Sequence, residues 1–119
     1  WLGASDTILV VTGIANPVPM VKYLKRFNAK VKVIHFSDHH NYSREDLNFI
    51  QKTFEYLPGE RKFIVTTEKD AVRIINNAYF PHNLRKHMFY LPIEVEFLSG
   101  EDDFINTIMT KMSNDNLMK

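Results

Sequence analysis

The sequence predicts an α/β domain with a mostly parallel sheet, and three observations carry that prediction. Strand-like and helix-like segments alternate four times along the chain. The strand segments are short, β-branched and apolar on successive residues, the pattern of strands covered on both faces. Each then runs into a turn or a helix-capping group: Gly13–Pro17, Ser37–Ser43 and Thr67–Asp70. Right-handed crossovers would bring the carboxyl ends of parallel strands to one side, so Gly13–Pro17, Asp38–His40 and Thr66–Asp70 are expected to face one crevice. The expected architecture is a three-layer, Rossmann-like domain of four to five strands, with residues 1–119 forming a single unit.

Taken in order, Thr7–Gly13 is the first strand, apolar throughout and suited to the middle of a sheet. Gly13 allows a tight approach where a side chain would clash. Asn16 and Pro17 supply an N-cap and a first-turn proline. The helix that follows is expected to bury Val18, Val21 and Leu24, with Lys22, Lys25 and Arg26 toward water or its C-terminal end. Val31–Phe36 reads as a second, buried strand that stops at Ser37. Ser43 and Asp46 form a capping box, and the next helix carries Leu47, Ile50, Phe54 and Leu57 on one face until Pro58-Gly59 stops it. Arg44, Glu45 and Asp46 read as its solvated first turn.

Lys62–Thr66 is the third strand, and Thr67–Asp70 repeats the strand-end capping pattern before a short helix through Ala71, Val72, Ile74 and Ile75. Thr67 caps it, and Glu68 and Asp70 complement its dipole, whereas Lys69 opposes that dipole. Asn76–His87 is expected to be a loop with at most one helical turn, its His82, Arg85, Lys86 and His87 solvated. Met88–Leu91 is apolar, Pro92 interrupts it, and Ile93, Val95 and Phe97 alternate with Glu94 and Glu96 as an edge strand would. A final helix is expected from Ser99, packing Phe104, Ile105, Ile108, Met109 and Met112 inward, with Ser113–Lys119 frayed.

Composition excludes several classes of function. A formal net charge of +1 gives no general field for nucleic acid or an anionic membrane. The absence of cysteine removes disulfide and thiolate chemistry. No apolar run reaches the roughly 18–20 residues that span a bilayer, so the chain itself is expected to be soluble. The chain begins Trp1-Leu2-Gly3-Ala4, and that start is read as a cut inside a longer protein, although a processed or tagged terminus would look similar. The pattern G-x-x-x-x-G-K-[ST] occurs nowhere, so the chain has no P-loop of its own. Asp38, His39 and His40 leave the second strand on the expected crevice edge. They read either as a turn whose side chains cap backbone groups or as a carboxylate–imidazole acid–base group. Three consecutive residues seldom converge on one ion without further ligands, and no tightly held metal is expected there.

In sequence order, four motifs resemble the C-terminal part of tetraacyldisaccharide 4′-kinase, the lipid A kinase. They are Thr12-Gly13-Ile14-Ala15-Asn16-Pro17, Phe36-Ser37-Asp38-His39-His40-Asn41-Tyr42-Ser43, Thr66-Thr67-Glu68-Lys69-Asp70-Ala71-Val72-Arg73 and Tyr90-Leu91-Pro92-Ile93. The resemblance runs from about Ile8 to the final helix. It implies an enzyme at the cytoplasmic face of the bacterial inner membrane that uses ATP and Mg²⁺ to phosphorylate the 4′-hydroxyl of a tetraacylated disaccharide 1-phosphate. It also implies that the P-loop, the Mg²⁺-binding acids and the membrane-contacting helix lie in an N-terminal lobe, which is this chain's expected partner, and that this chain alone is inactive. By resemblance, Asp38 and His39 carry the catalytic role, His39 working with an aspartate of the other lobe. His40, Glu68, Lys69, Asp70 and Arg73, with Gly13 and Asn16, are the cleft or substrate-binding candidates. Arg73 stands where the family usually has lysine, which keeps the charge but changes the donor geometry. Two rival readings are a fragment of a manganese-dependent phosphoesterase with an Asp-His-His signature, which would need further aspartates, and a non-catalytic α/β docking module.

Overall fold

A computed structural model of the chain describes residues 4–27, 29–38, 40–91 and 110–111. Its elements in chain order are β1 (Asp6–Thr12), α1 (Val18–Lys25), β2 (Lys30–His35), α2 (Arg44–Tyr56), β3 (Arg61–Thr67), α3 (Glu68–Ile75), a 3₁₀ helix (His82–His87), β4 (Met88–Leu91) and β5 (Thr110–Lys111). They form one sheet in the order β2-β1-β3-β4-β5. The first four strands are parallel, with Val10 opposite both Val33 and Val65, and Thr66 opposite Tyr90. β5 closes the far side antiparallel to β4. The expected α/β architecture and its mostly parallel sheet are therefore what the chain forms.

Successive residues of a strand point to opposite faces, and β1 uses both. Ile8 and Val10 join Met20, Tyr23, Leu24, Val65 and Leu91 in a core beneath α1. Leu9 and Val11 join Leu47, Ile50, Phe54, Ile64 and Ile74 in a larger core beneath α2 and α3. Each such aliphatic side chain taken out of water stabilises the fold by about 1.5–3 kcal/mol before entropy is counted. α2 begins as its sequence dictates: Ser43 Oγ accepts from Asp46 N at 3.0 Å and Asp46 Oδ2 accepts from Ser43 N at 2.9 Å. At the opposite end of the sheet, Arg61 donates two 2.8 Å bonds to the buried Asp6 carboxylate, fastening the start of β3 to the start of β1.

Four sequence expectations are corrected. β2 is not a buried strand: it lies at the sheet edge, and only Ile34 of its six residues is buried. Helix α1 buries Met20, Tyr23 and Leu24 rather than Val18 and Val21, and Val18 is 52% exposed. Both sets recur at helical spacing, and the sheet beneath takes the bulkier one. The segment before β4 holds a six-residue 3₁₀ helix rather than at most one turn, with Leu84 buried as its anchor. Thr110–Lys111 is strand, not the last turns of a helix. The expected edge strand around Ile93–Phe97, the helix start at Ser99 and the frayed end at Ser113–Lys119 lie outside the described residues.

Candidate active site

The carboxyl ends of β1, β2 and β3 converge, as the crossover argument requires, and a single buried side chain joins them. Asp70, in the first turn of α3, is 2% exposed. Its Oδ2 accepts from Gly13 N at 3.0 Å and Thr12 Oγ1 at 3.1 Å, both at the end of β1, and from Thr67 Oγ1 at 2.7 Å, at the end of β3. Its Oδ1 accepts from the Tyr42 hydroxyl at 3.0 Å, on the segment that follows β2. Thr67 Oγ1 in turn accepts from Asp70 N at 3.1 Å, which caps α3. A buried carboxylate can accept several bonds, and here every donor comes from a strand end or the loop beside it.

Gly13 is where the turns touch. A Cβ there would stand 3.0 Å from Ser37 O, 3.2 Å from Asp70 Oδ1 and 3.5 Å from His40 Cβ. A side chain at this position would require Ser37 O and Asp70 to give by a few tenths of an ångström, so the close approach of the turns favours glycine. Ile14 N is satisfied by Thr12 Oγ1 at 3.1 Å, and His35 Nε2 lies 2.7 Å from Ile14 O.

The turn after β2 is clamped on its other flank as well. The His40 ring stacks on Phe36 with centroids 4.4 Å apart and meets Tyr42 edge-on at 5.0 Å. His40 Nε2 lies 2.7 Å from Asp46 Oδ2. A carboxylate oxygen is an acceptor, so this contact assigns the proton to Nε2 and leaves Nδ1 as the other ring position. Asp46 is partly buried, which alone would raise its pKa. The Ser43 backbone N–H, His40 and the Ser43 side chain outweigh that and hold it below the ordinary carboxylate range. Burial first, and the neighbouring Asp70 second, push the Tyr42 phenol well above its ordinary value, so it stays a donor to Asp70 at neutral pH. Arg73 Nη1 donates to His40 O at 3.3 Å and Asn77 Nδ2 to Tyr42 O at 2.7 Å.

The sequence candidates therefore separate. Gly13, His40, Asp70 and Arg73 meet in one cluster. Asp38 is exposed on the turn that the cluster holds, Lys69 is exposed and Glu68 half-buried at the start of α3. His39 lies outside the described residues. Asn16 stands apart: Pro17, not Asn16, is the N-cap residue of α1, and Asn16 Oδ1 accepts from Val18 N at 3.1 Å in the turn just before the helix. Sequence reasoning missed Thr12, Tyr42 and Asn77 and read Asp46 only as a cap. Tyr42 and Asn77 carried no periodic signal, while the capping pattern that exposed Asp46 said nothing of His40. Among the described residues no group of three or more His, Cys, Asp or Glu side chains could hold a metal ion. No described helix is long and apolar enough to cross a membrane.

Residues 3–113 match the family profile described as tetraacyldisaccharide-1-P 4′-kinase. A tetraacyldisaccharide 4′-kinase of Bacteroides thetaiotaomicron is 42% identical over 99 residues, 83% of this chain and 26% of that protein. One from Phocaeicola vulgatus is 38% identical over 103 residues, 87% of this chain and 28% of the relative. One from Cytophaga hutchinsonii is 36% identical over 110 residues, 91% and 30%. The chain thus spans between a quarter and a third of the length of the curated relatives it matches. No solved structure matches it.

Proposed function

The chain belongs to the tetraacyldisaccharide 4′-kinase family, and from that premise we propose that it supplies the C-terminal lobe of an ATP-dependent kinase of lipid A synthesis. The substrate in this reading is a tetraacylated disaccharide 1-phosphate, phosphorylated on its 4′-hydroxyl to give lipid IVA at the cytoplasmic face of the bacterial inner membrane. The observation that supports it is the convergence of three strand-end segments on Asp70, which ties the segment after β2, through Tyr42, to the ends of β1 and β3. Phosphoryl transfer asks a protein mainly for positioning and charge stabilisation, with one group to orient the nucleophile.

In this reading ATP and Mg²⁺ are held outside this chain. The sequence lacks a phosphate-cradling P-loop, and the described side chains form no cluster able to hold a metal. Both belong, in this proposal, to an N-terminal P-loop lobe, and the 119-residue chain alone turns over no ATP. In this proposal the lobe contributes Asp38, exposed after β2, and His39. His39 orients the sugar hydroxyl or takes its proton as the two lobes close. Arg73 and the His40–Asp46 pair hold the turn's backbone, and Glu68 and Lys69 shape the cleft beside it.

Steady-state kinetics on the complete kinase carrying this lobe test the assignment. His39→Ala should lower kcat by about 10²–10⁴ with ATP affinity unchanged, and His40→Ala should cost less. Near-normal turnover by a folded His39→Ala enzyme would reduce the Asp38–His40 group to a structural turn.

A further inference from the structure

The β2 edge carries a second surface, distinct in composition from the strand-end cluster. Where α1 runs beside β2, a groove is lined by Val18, Lys22, Lys25 and Val33 among others. On the opposite face of the same strand, α2 and β2 form a groove of about 520 Å³ lined in part by Lys32, Phe49, Lys52 and Tyr56. Among the described residues, neither groove has a carboxylate in its lining. Among the described residues, none of these four lysines is bonded to an acidic side chain. Helical spacing puts Val18, Lys22 and Lys25 on one stripe of α1 and Phe49, Lys52 and Tyr56 on one stripe of α2. Phe49 is 56% exposed and Tyr56 86% exposed. Single exposed apolar residues are ordinary, but two such stripes flanking one edge strand make a patch.

We propose that this edge of the sheet, with a lysine-bearing groove on each side of β2, docks on an anionic lipid surface. The inference rests on the kinase reading to the extent that a four-chain acylated substrate resides in a bilayer. Apolar and aromatic side chains interleaved with lysines suit the headgroup boundary: the rings and valines enter the acyl margin while the ammonium groups meet lipid phosphates. Charge complementarity selects this occupant. A chain of net charge +1 gathers Lys22, Lys25, Lys32 and Lys52 along this edge, and among the described residues no acid lines either groove. Strand addition by a second copy is disfavoured, because Lys30 and Lys32 stand exposed along the edge that would have to pair. The placement also serves the site. β2 ends at His35, three residues before Asp38, so at most about 11 Å of chain separates the docked edge from that residue.

Co-sedimentation of the 119-residue chain with phosphatidylglycerol-rich and with pure phosphatidylcholine vesicles tests this directly and needs no catalysis. Binding is expected to the anionic vesicles and to weaken as salt is raised. Lys52→Gln should lower partitioning about fivefold, Lys86→Gln on another face should not, and Phe49→Ser with Tyr56→Ser should lower it about tenfold or more. Thermal melts check that each variant is folded. As an independent readout in a Trp1→Phe background, Phe49→Trp fluorescence should shift to the blue on adding anionic vesicles, and Tyr79→Trp should not. Equal binding to both vesicle types, no binding, or self-association without vesicle binding would overturn the proposal. Any of these would leave the His39 kinetics, and with them the kinase reading, untouched.

Discussion

β1 and β2 pair side by side in parallel register, and both are short runs rich in β-branched residues, yet they occupy opposite environments. All seven residues of β1 are buried, including Asp6, Thr7 and Thr12, whereas β2 buries only Ile34. β1 has a strand on each side and a helical layer on each face. Among the described residues β2 has a strand on one side only, and the helices above and below it leave open grooves. Burial here follows rank in the sheet rather than β propensity. Their carboxyl ends differ in the same way: β1 and β3 meet Asp70 through three direct bonds, while the segment after β2 reaches it through Tyr42.

The largest expected effect comes from cutting that central knot. Asp70→Ala strands the Gly13 N–H and three hydroxyls in a buried site and should destabilise the chain by about 3–5 kcal/mol in urea melts. A loss under 1 kcal/mol would mean that the three strand ends hold together without it. Next is a direct comparison of the two strands. Leu9→Ala in β1 should cost about 2–5 kcal/mol, and Val33→Ala in β2 about 0.5 kcal/mol or less, so equal costs would erase the distinction between centre and edge.

The smallest effect is a pH dependence confined to the β2 side. Asp46 has a folded-state pKa below its unfolded value, so its contribution is fully present above the unfolded carboxylate range. That contribution disappears as pH falls through the folded value. Asp46→Asn should therefore lower stability at neutral pH and flatten the acid limb of the stability–pH curve. Parallel curves for the two proteins would detach the His40–Asp46 pair from the stability of the turn.

Much of the fold was legible because it rests on local rules. The Ser43–Asp46 capping box, the stop at Pro58-Gly59, the Leu47, Ile50 and Phe54 face of α2 and the run of β1 each depend on residues within one or two turns. Periodicity read them correctly. It failed for α1, where two apolar stripes compete and only the sheet beneath chooses between them. It failed also for β2, whose exposed Lys30 and Lys32 were the overlooked sign of an edge.

By itself, then, the sequence determined the α/β class, the alternation of strands and helices from β1 to α3 and the family, because capping, period and ordered motifs are properties of neighbouring residues. It also placed Gly13, Asp38–His40 and Asp70 at strand ends. Only the tertiary structure decided what those ends do to one another. Asp70 bonds to Thr12, Gly13 and Tyr42 across 28 to 58 positions of sequence. His40 turns its Nε2 to Asp46, and β2 becomes the edge that α1 and α2 leave open. A hydrogen bond across such a separation depends on where the backbone carries each partner, and no local pattern encodes that.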